Sequence, residues 1–303
     1  MKTAAIDTSG SRPWRTKGLV CAMVSGATFG MMPLFSIPAL EAGMSTFTVV
    51  AYRFLLGTAA MLAMLLVCRQ SLRVSFGELW RITVLAVLNI VSAVTLIYGY
   101  NLMPSGAATT VQFSHPIFTC VLLMLFFRER PRVLTVVAIL LAVLGVAAIS
   151  DFDGDGDMSL YGVAIELLSG LAYSFYMILV PKFRLQSMDS TKLTFYVFLV
   201  STLLMVAVAL AVDGTGQATL AFADKRVAFS LLLLGIIPTA LSNITLTIGL
   251  RNVGSTITST LSALEPLVAI IIGLAVFSEP FSMLTLVGFV CITAAVTLLI
   301  FDR

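Results

Sequence analysis

The chain has 303 residues, 59% of them hydrophobic and only 11% charged, with a mean hydropathy of +1.05 and a formal net charge of +3. A soluble domain carries about 25% charged residues, so this composition belongs in a lipid bilayer, and the small positive charge argues against a nucleic-acid partner. Four cysteines (Cys21, Cys68, Cys120, Cys291) sit in or at the ends of apolar runs without metal-like spacing, so they read as free thiols and no metal or cofactor is expected.

A spanning helix needs about 20 mostly apolar residues. Ten runs meet that rule, at 18–40, 45–67, 82–100, 106–127, 133–150, 160–180, 193–212, 227–250, 255–277 and 282–301. They are continuous rather than alternating, which excludes a closed β-barrel. Run 1 is too long for a cleavable signal, and nine more follow. The short gaps make the helices packed neighbours in one all-α membrane protein.

Orientation follows from the basic residues in the gaps. Lys2, Arg12, Arg15, Lys17, Arg69, Arg73, Arg81, Arg128, Arg130, Arg132, Lys182, Arg184, Lys192, Arg251 and Arg303 fall on one side. Lys225 and Arg226 fall on the other, with Asp151, Asp153, Asp155 and Asp157. This bias puts both termini in the cytoplasm.

Two stretches read as copies. Gly99–Ser150 aligns with Gly249–Ile300 at a constant offset of 150 and without gaps. The offset puts His115-Pro116 over Glu265-Pro266, Phe127 and Glu129 over Phe277 and Glu279, and Leu134-Thr135 over Leu284-Thr285. Run 1 aligns with run 6 through Ser25-Gly26 over Ser169-Gly170. Each half then holds five helices, an odd number, so the second half enters the membrane upside down. The expected fold is ten transmembrane helices in two inverted five-helix repeats. Its parts are a cytoplasmic tail (1–17), a first repeat (18–150), an acidic external linker (151–159) and a second repeat (160–303). Inverted repeats are an architecture of secondary transporters, with the substrate site near the midplane between the halves.

The five-plus-five pattern, the Tyr52-Arg53-Phe54-Leu55-Leu56 start of run 2, the Ser-Gly pairs and the Pro…Glu pattern of runs 4 and 9 resemble the drug/metabolite transporter superfamily. The chain is most similar to its EamA-type bacterial exporters, and within them to the aromatic amino-acid exporter branch. The resemblance implies a multi-pass protein of the bacterial inner membrane, a monomer or weak homodimer, that exports amino acids or related metabolites and is not an enzyme. A departure from the family pattern is that Trp14 and Trp80, the chain's two tryptophans, sit at the cytoplasmic edges rather than inside helices.

An ionisable side chain at bilayer depth is costly and a functional candidate by default. His115 and Glu265 fall near the midplane, each followed by a helix-bending proline. Helical spacing extends them into the stripes Ala108–Gln112–His115–Thr119 and Thr258–Ser262–Glu265. The expected substrate-binding set is His115, Gln112, Asn89, Tyr98, Glu265, Ser262, Asn243 and Tyr173, with Glu265 taking an ammonium group and His115 a carboxylate. Structural hydrogen bonding to a neighbouring helix is the competing reading for these residues, with Glu265 then protonated and structural, and a coupled proton on His115 is a further one. Arg53 and Glu166 lie at comparable depth and are expected to form a gating or structural ion pair. Glu129 and Glu279, beside short breaks, read as structural acids favoured by a nearby helix N-terminus.

Asp151–Gly156 imitates half of an EF-hand, but its twelfth position is Gly162 rather than Glu. No H-E-x-x-H, G-x-S-x-G or P-loop motif is present, which argues against hydrolysis and against ATP drive. The expected function is secondary export of small metabolites, aromatic or neutral amino acids foremost, by alternating access through a central cavity. The alternative is export of quaternary-ammonium or other cationic drugs.

Overall fold

The computed structural model describes residues 13–69, 72, 74–127, eight separate positions between 133 and 148, 160–183, 188–262, 264–279 and 283–301. The elements described are all helical. Eight helical stretches are long and apolar enough to cross a membrane, and they correspond to runs 1–4 and 6–9. Run 5 lies largely outside the described residues, and the linker 151–159 and Glu129 lie wholly outside them. Run 10 is a helix, Met283–Phe301.

The elements are α1 (Pro13–Phe29), α2 (Met32–Glu41), α3 (Thr46–Val67), α4 (Phe76–Gly99), α5 (Ser105–Gln112), α6 (His115–Phe127), α7 (Leu160–Lys182), α8 (Ser190–Val212), α9 (Gly214–Ala223), α10 (Lys225–Leu234), a π-helical turn (Gly235–Leu241), α11 (Ser242–Leu261), α12 (Leu264–Val276) and α13 (Met283–Phe301). Their starts follow local chemistry. Ser45 caps α3 by accepting from the Thr48 N–H, and Asp189 and Asp224 cap α8 and α10 in the same way. Ser75 and Glu78 form a reciprocal capping box on α4.

Prolines interrupt four spans. Run 1 breaks at Gly30-Met31, just before Pro33, which separates α1 from α2. Run 4 breaks at Phe113-Ser114 before Pro116, and the ninth span breaks at Ser262 before Pro266. In run 8, Pro238 cannot supply the N–H that Leu234 O would receive in a regular helix. The backbone widens into the π turn, and the Thr239 hydroxyl donates to Leu234 O instead, at 2.7 Å. Run 8 is separated from run 9 at Gly254, whose φ of 83° is the left-handed conformation that glycine adopts without strain. The helix α9, in the gap between runs 7 and 8, was not anticipated from composition.

The packing crosses between the two halves of the chain. α1 runs along α11, α7 along α4, α3 against α8, and α5 against α12. These pairs obey the sequence offset: the first helix of each half lies on the third helix of the other. Ser25 Oγ donates to Ser242 O at 2.9 Å, and Ser169 Oγ donates to Ser92 O at 2.8 Å. Ser92 and Ser242 are themselves 150 residues apart. Equivalent residues thus make equivalent hydrogen bonds.

Candidate functional site

The two broken spans meet at their breaks. His115 opens α6 and Glu265 lies in the first turn of α12. Their side chains face each other, His115 Nε2 and Glu265 Oε2 lying 3.8 Å apart, with both residues fully buried. The residues that the offset of 150 makes equivalent are therefore also spatial partners. Neither imidazole nitrogen and neither Glu265 oxygen has a hydrogen-bond partner. A buried polar group without partners costs several kcal/mol, so a cluster of them at one place singles it out as a candidate site.

The backbone around the cluster is held in place. The His115 carbonyl accepts from Ser174 Oγ at 2.7 Å and from Thr119 Oγ1 at 2.9 Å. Gly170 on α7 lets that helix touch the first break: a Cβ there would lie 2.7 Å from Gln112 O. Gly26 on α1 does the same at the second break, where a Cβ would lie 3.0 Å from Ser262 Cα. The two Ser-Gly pairs are thus the seats of the two breaks, each provided by the opposite half.

Aromatic rings close one side. Tyr173 meets the His115 ring edge-on, with centroids 4.9 Å apart, and stacks on Phe29 at 5.7 Å. Its hydroxyl is buried and has no partner. Arg53 lies beyond, its guanidinium 5.7 Å from the Phe29 ring, with Nε donating to Thr239 Oγ1 at 3.0 Å and Nη1 unpartnered. Gln112 donates from Nε2 to Ser169 Oγ at 3.0 Å, leaving Oε1 buried and free. The result is a closed, mixed surface with an acid, two bases, an amide oxygen and two rings.

The other expected residues divide. Asn89 is buried with its amide nitrogen unpartnered. Ser262 and Asn243 are buried but bond locally, to Thr258 O at 3.2 Å and Thr239 O at 2.9 Å. Tyr98 is 38% exposed near the end of α4, edge-on to Tyr161 and apart from the cluster. The expected Arg53–Glu166 ion pair does not form. Arg53 is turned toward the π turn and Phe29, whereas the Glu166 carboxylate lies against Gly99 with both oxygens unpartnered. Similar depth in sequence did not give a shared direction. Glu279 is structural as expected, but it serves an earlier helix. Its carboxylate accepts from the N–H groups of Ser105 at 2.9 Å and Gly106 at 3.3 Å, capping α5. Phe29 was missed, because nothing in an apolar run distinguishes a ring that faces the site.

The model of the EamA-like transporter family matches the sequence twice, over residues 16–151 and 160–301. The chain belongs to the EamA-like transporter family. The family is one of transporters, which points away from an enzyme. A relative from Archaeoglobus fulgidus, described as an uncharacterized transporter, is 32% identical over 105 residues. That match spans 34% of this chain and 37% of the relative. A solved structure described only as the crystal structure of a protein superposes with a TM-score of 0.70 at 15% identity, covering 93% of this chain and 96% of its own. The likeness establishes a shared fold.

Proposed function

We propose that this EamA-family transporter exports small zwitterions, aromatic and other neutral amino acids foremost, through a site at the meeting point of the two helix breaks. The observation that carries the reading is the buried, unpartnered set formed by His115, Glu265, Tyr173 and Gln112. Glu265 accepts the substrate ammonium, and His115 with Gln112 addresses the polar remainder. Phe29 and Tyr173 provide a stacking wall for an aromatic side chain. Binding then supplies the hydrogen bonds that the closed cluster lacks.

Alternating access follows from the exchange of first helices between halves, with the chain read as two inverted five-helix repeats in the bacterial inner membrane and both termini cytoplasmic. Asn89 lines the route on the α4 side, and Asn243 and Ser262 maintain the α11 and α12 backbones. A second reading, export of a quaternary-ammonium cation, is favoured by the acid Glu265 beside the rings of Tyr173 and Phe29.

The test is efflux of labelled aromatic amino acids, aliphatic amino acids and quaternary cations from proteoliposomes. Aromatic amino acids should move fastest, and His115→Ala and Gln112→Ala should both slow them. Unchanged flux in both variants would overturn the site, and transport of cations alone would select the second reading.

A further inference from the structure

Glu166 is a second fully buried acid, and the proposed substrate site does not use it. It lies on α7 against the end of α4, where Gly99 leaves the room its carboxyl group occupies. A side chain at Gly99 would overlap the carboxylate oxygen itself. Both oxygens are buried and neither has a hydrogen-bond donor. Tyr100, next to Gly99 in the chain, has its hydroxyl facing Thr109 Oγ1 at 3.4 Å. Arg53 donates from Nε to Thr239 and makes no ion pair with Glu166, and Glu279 accepts from the α5 N–H groups.

The other half of the chain shows what packing alone requires here. The Ser25–Ser169 alignment equates Glu166 with Ala22, and the 150 offset equates Gly99 with Gly249. A Cβ at Gly249 would lie 3.3 Å from Ala22 Cβ, a tight contact between small residues. A methyl group thus fills this position in one half, while the other half keeps an acid with no partner.

Isolated charge at this depth is not sustained; the group neutralises instead. Among the described residues no group of three or more His, Cys, Asp or Glu side chains could hold a metal ion, and two carboxylate oxygens alone do not make a site for a metal cation, which takes six or more oxygen ligands if calcium. The 100–104 turn packs along α7 next to this position: the Glu166 carboxyl lies against Gly99, and a Cβ at Gly162, one turn away on α7, would lie 2.7 Å from Met103 Cε and 3.2 Å from Leu102 Cβ. Movement of α5 and the 100–104 turn would open the acid to water.

We propose that Glu166 is a proton-binding site, distinct from the His115–Glu265 site, that couples substrate export to proton entry. The proton is held by the carboxyl while the turn is packed along α7 and released to water when the turn lifts. No other bond forms or breaks. The coupling rests on the secondary-transport reading above; the bound proton does not.

Two measurements test it. The first is the infrared spectrum of the full chain in lipid at neutral pH. A protonated carboxylic C=O band should be present, be lost in Glu166→Gln and persist in Glu265→Gln. A spectrum in which Glu166→Gln removes no such band overturns the proposal whether or not a substrate has been found. The second uses proteoliposomes loaded with a transported amino acid, with the membrane potential clamped. For one proton exchanged per neutral zwitterion, a gradient of one pH unit holds about a tenfold substrate gradient, since both correspond to 1.4 kcal/mol. Glu166→Gln, and Glu166→Ala if the first variant folds poorly, should keep substrate exchange and lose this accumulation. Accumulation that survives in either folded variant, or that follows a sodium gradient instead, overturns the coupling. Absence of exchange by the wild type for every substrate in the panel overturns the coupling together with the transport reading, while the infrared band still decides the proton site.

Discussion

Ser25 and Ser169 occupy equivalent positions, yet their replacement should have unequal effects. Ser25→Ala removes the 2.9 Å bond to Ser242 O, while Ser242 Oγ keeps its own bond to Ser25 O at 3.1 Å. Interhelical hydrogen bonds in a bilayer average about 0.6 kcal/mol, so a loss of that order is expected. Ser169→Ala removes the 2.8 Å bond to Ser92 O and also the acceptor of Gln112 Nε2, 3.0 Å away. Leaving a buried donor unmatched adds about 1–3 kcal/mol. The total is about 2–3 kcal/mol, so the two variants should differ by about 2 kcal/mol, roughly thirtyfold in the unfolding equilibrium constant. Reversible unfolding in bicelles reads this difference directly. A binding measurement should in addition show weakened substrate affinity in Ser169→Ala, because the loosened Gln112 amide belongs to the proposed site, and near-normal affinity in Ser25→Ala. Equal destabilisation by the two substitutions, or a larger effect from Ser25→Ala, would refute the account of Gln112 as an amide held ready by α7.

Four further outcomes follow from other positions. Glu279→Gln should destabilise by about 1 kcal/mol, because it removes the negative charge at the N-terminus of α5 while leaving an acceptor; thermal unfolding checks it. Gly30→Ala places a methyl group 2.8 Å from Val268 Cβ and against the Glu265 backbone, an overpacking of about 1–3 kcal/mol that should weaken substrate binding about tenfold. The same exchange at Gly77, where nothing lies within 4 Å, should instead stabilise by about 0.5 kcal/mol and leave transport unchanged. Asp213 accepts from Ser45 Oγ and from Thr48 Oγ1 at 2.8 Å, joining the start of α3 to the end of α8. Asp213→Asn should lower stability by about 1 kcal/mol through loss of charge assistance, with substrate affinity unaltered in a binding assay.

The parts of the site that sequence revealed are those with a chemical signature. His115-Pro116 and Glu265-Pro266 combine a costly polar group with a missing N–H, and both features survive in a list of letters. The Ser-Gly pairs were visible as a repeat, although their exchange between halves was not, since an offset equates positions without saying which copies touch. Direction is what sequence lost. Arg53 and Glu166 are similar in depth, but depth is one coordinate, and a helix rotation decides whether two long side chains meet or diverge. Phe29 was invisible for the opposite reason: a ring in an apolar run costs nothing wherever it points. Tyr98 carried a polar marker yet lies at an exposed end, where an aromatic hydroxyl has little to pay for. The compensation of Pro238 by the Thr239 hydroxyl depends on a rotamer, which sequence does not carry.

The exchange of first helices gives the proposed mechanism a physical basis. Each helix break is seated on a Ser-Gly pair from the other half, so neither break can shift without disturbing the opposite half. Packed interfaces of this kind have discrete arrangements rather than a continuum. Because the two seats are equivalent, an arrangement that loosens one and tightens the other has a counterpart of similar energy. A transporter needs such a near balance, in which substrate of differential affinity decides the population. The residues that break the equivalence would then set the bias: His115 against Glu265 at the centre, and Glu166 against Ala22 toward one end. Restoring equivalence at the second position, by Glu166→Ala, removes the bias without touching either seat. This is why that variant can separate a proton-driven cycle from a merely exchanging one.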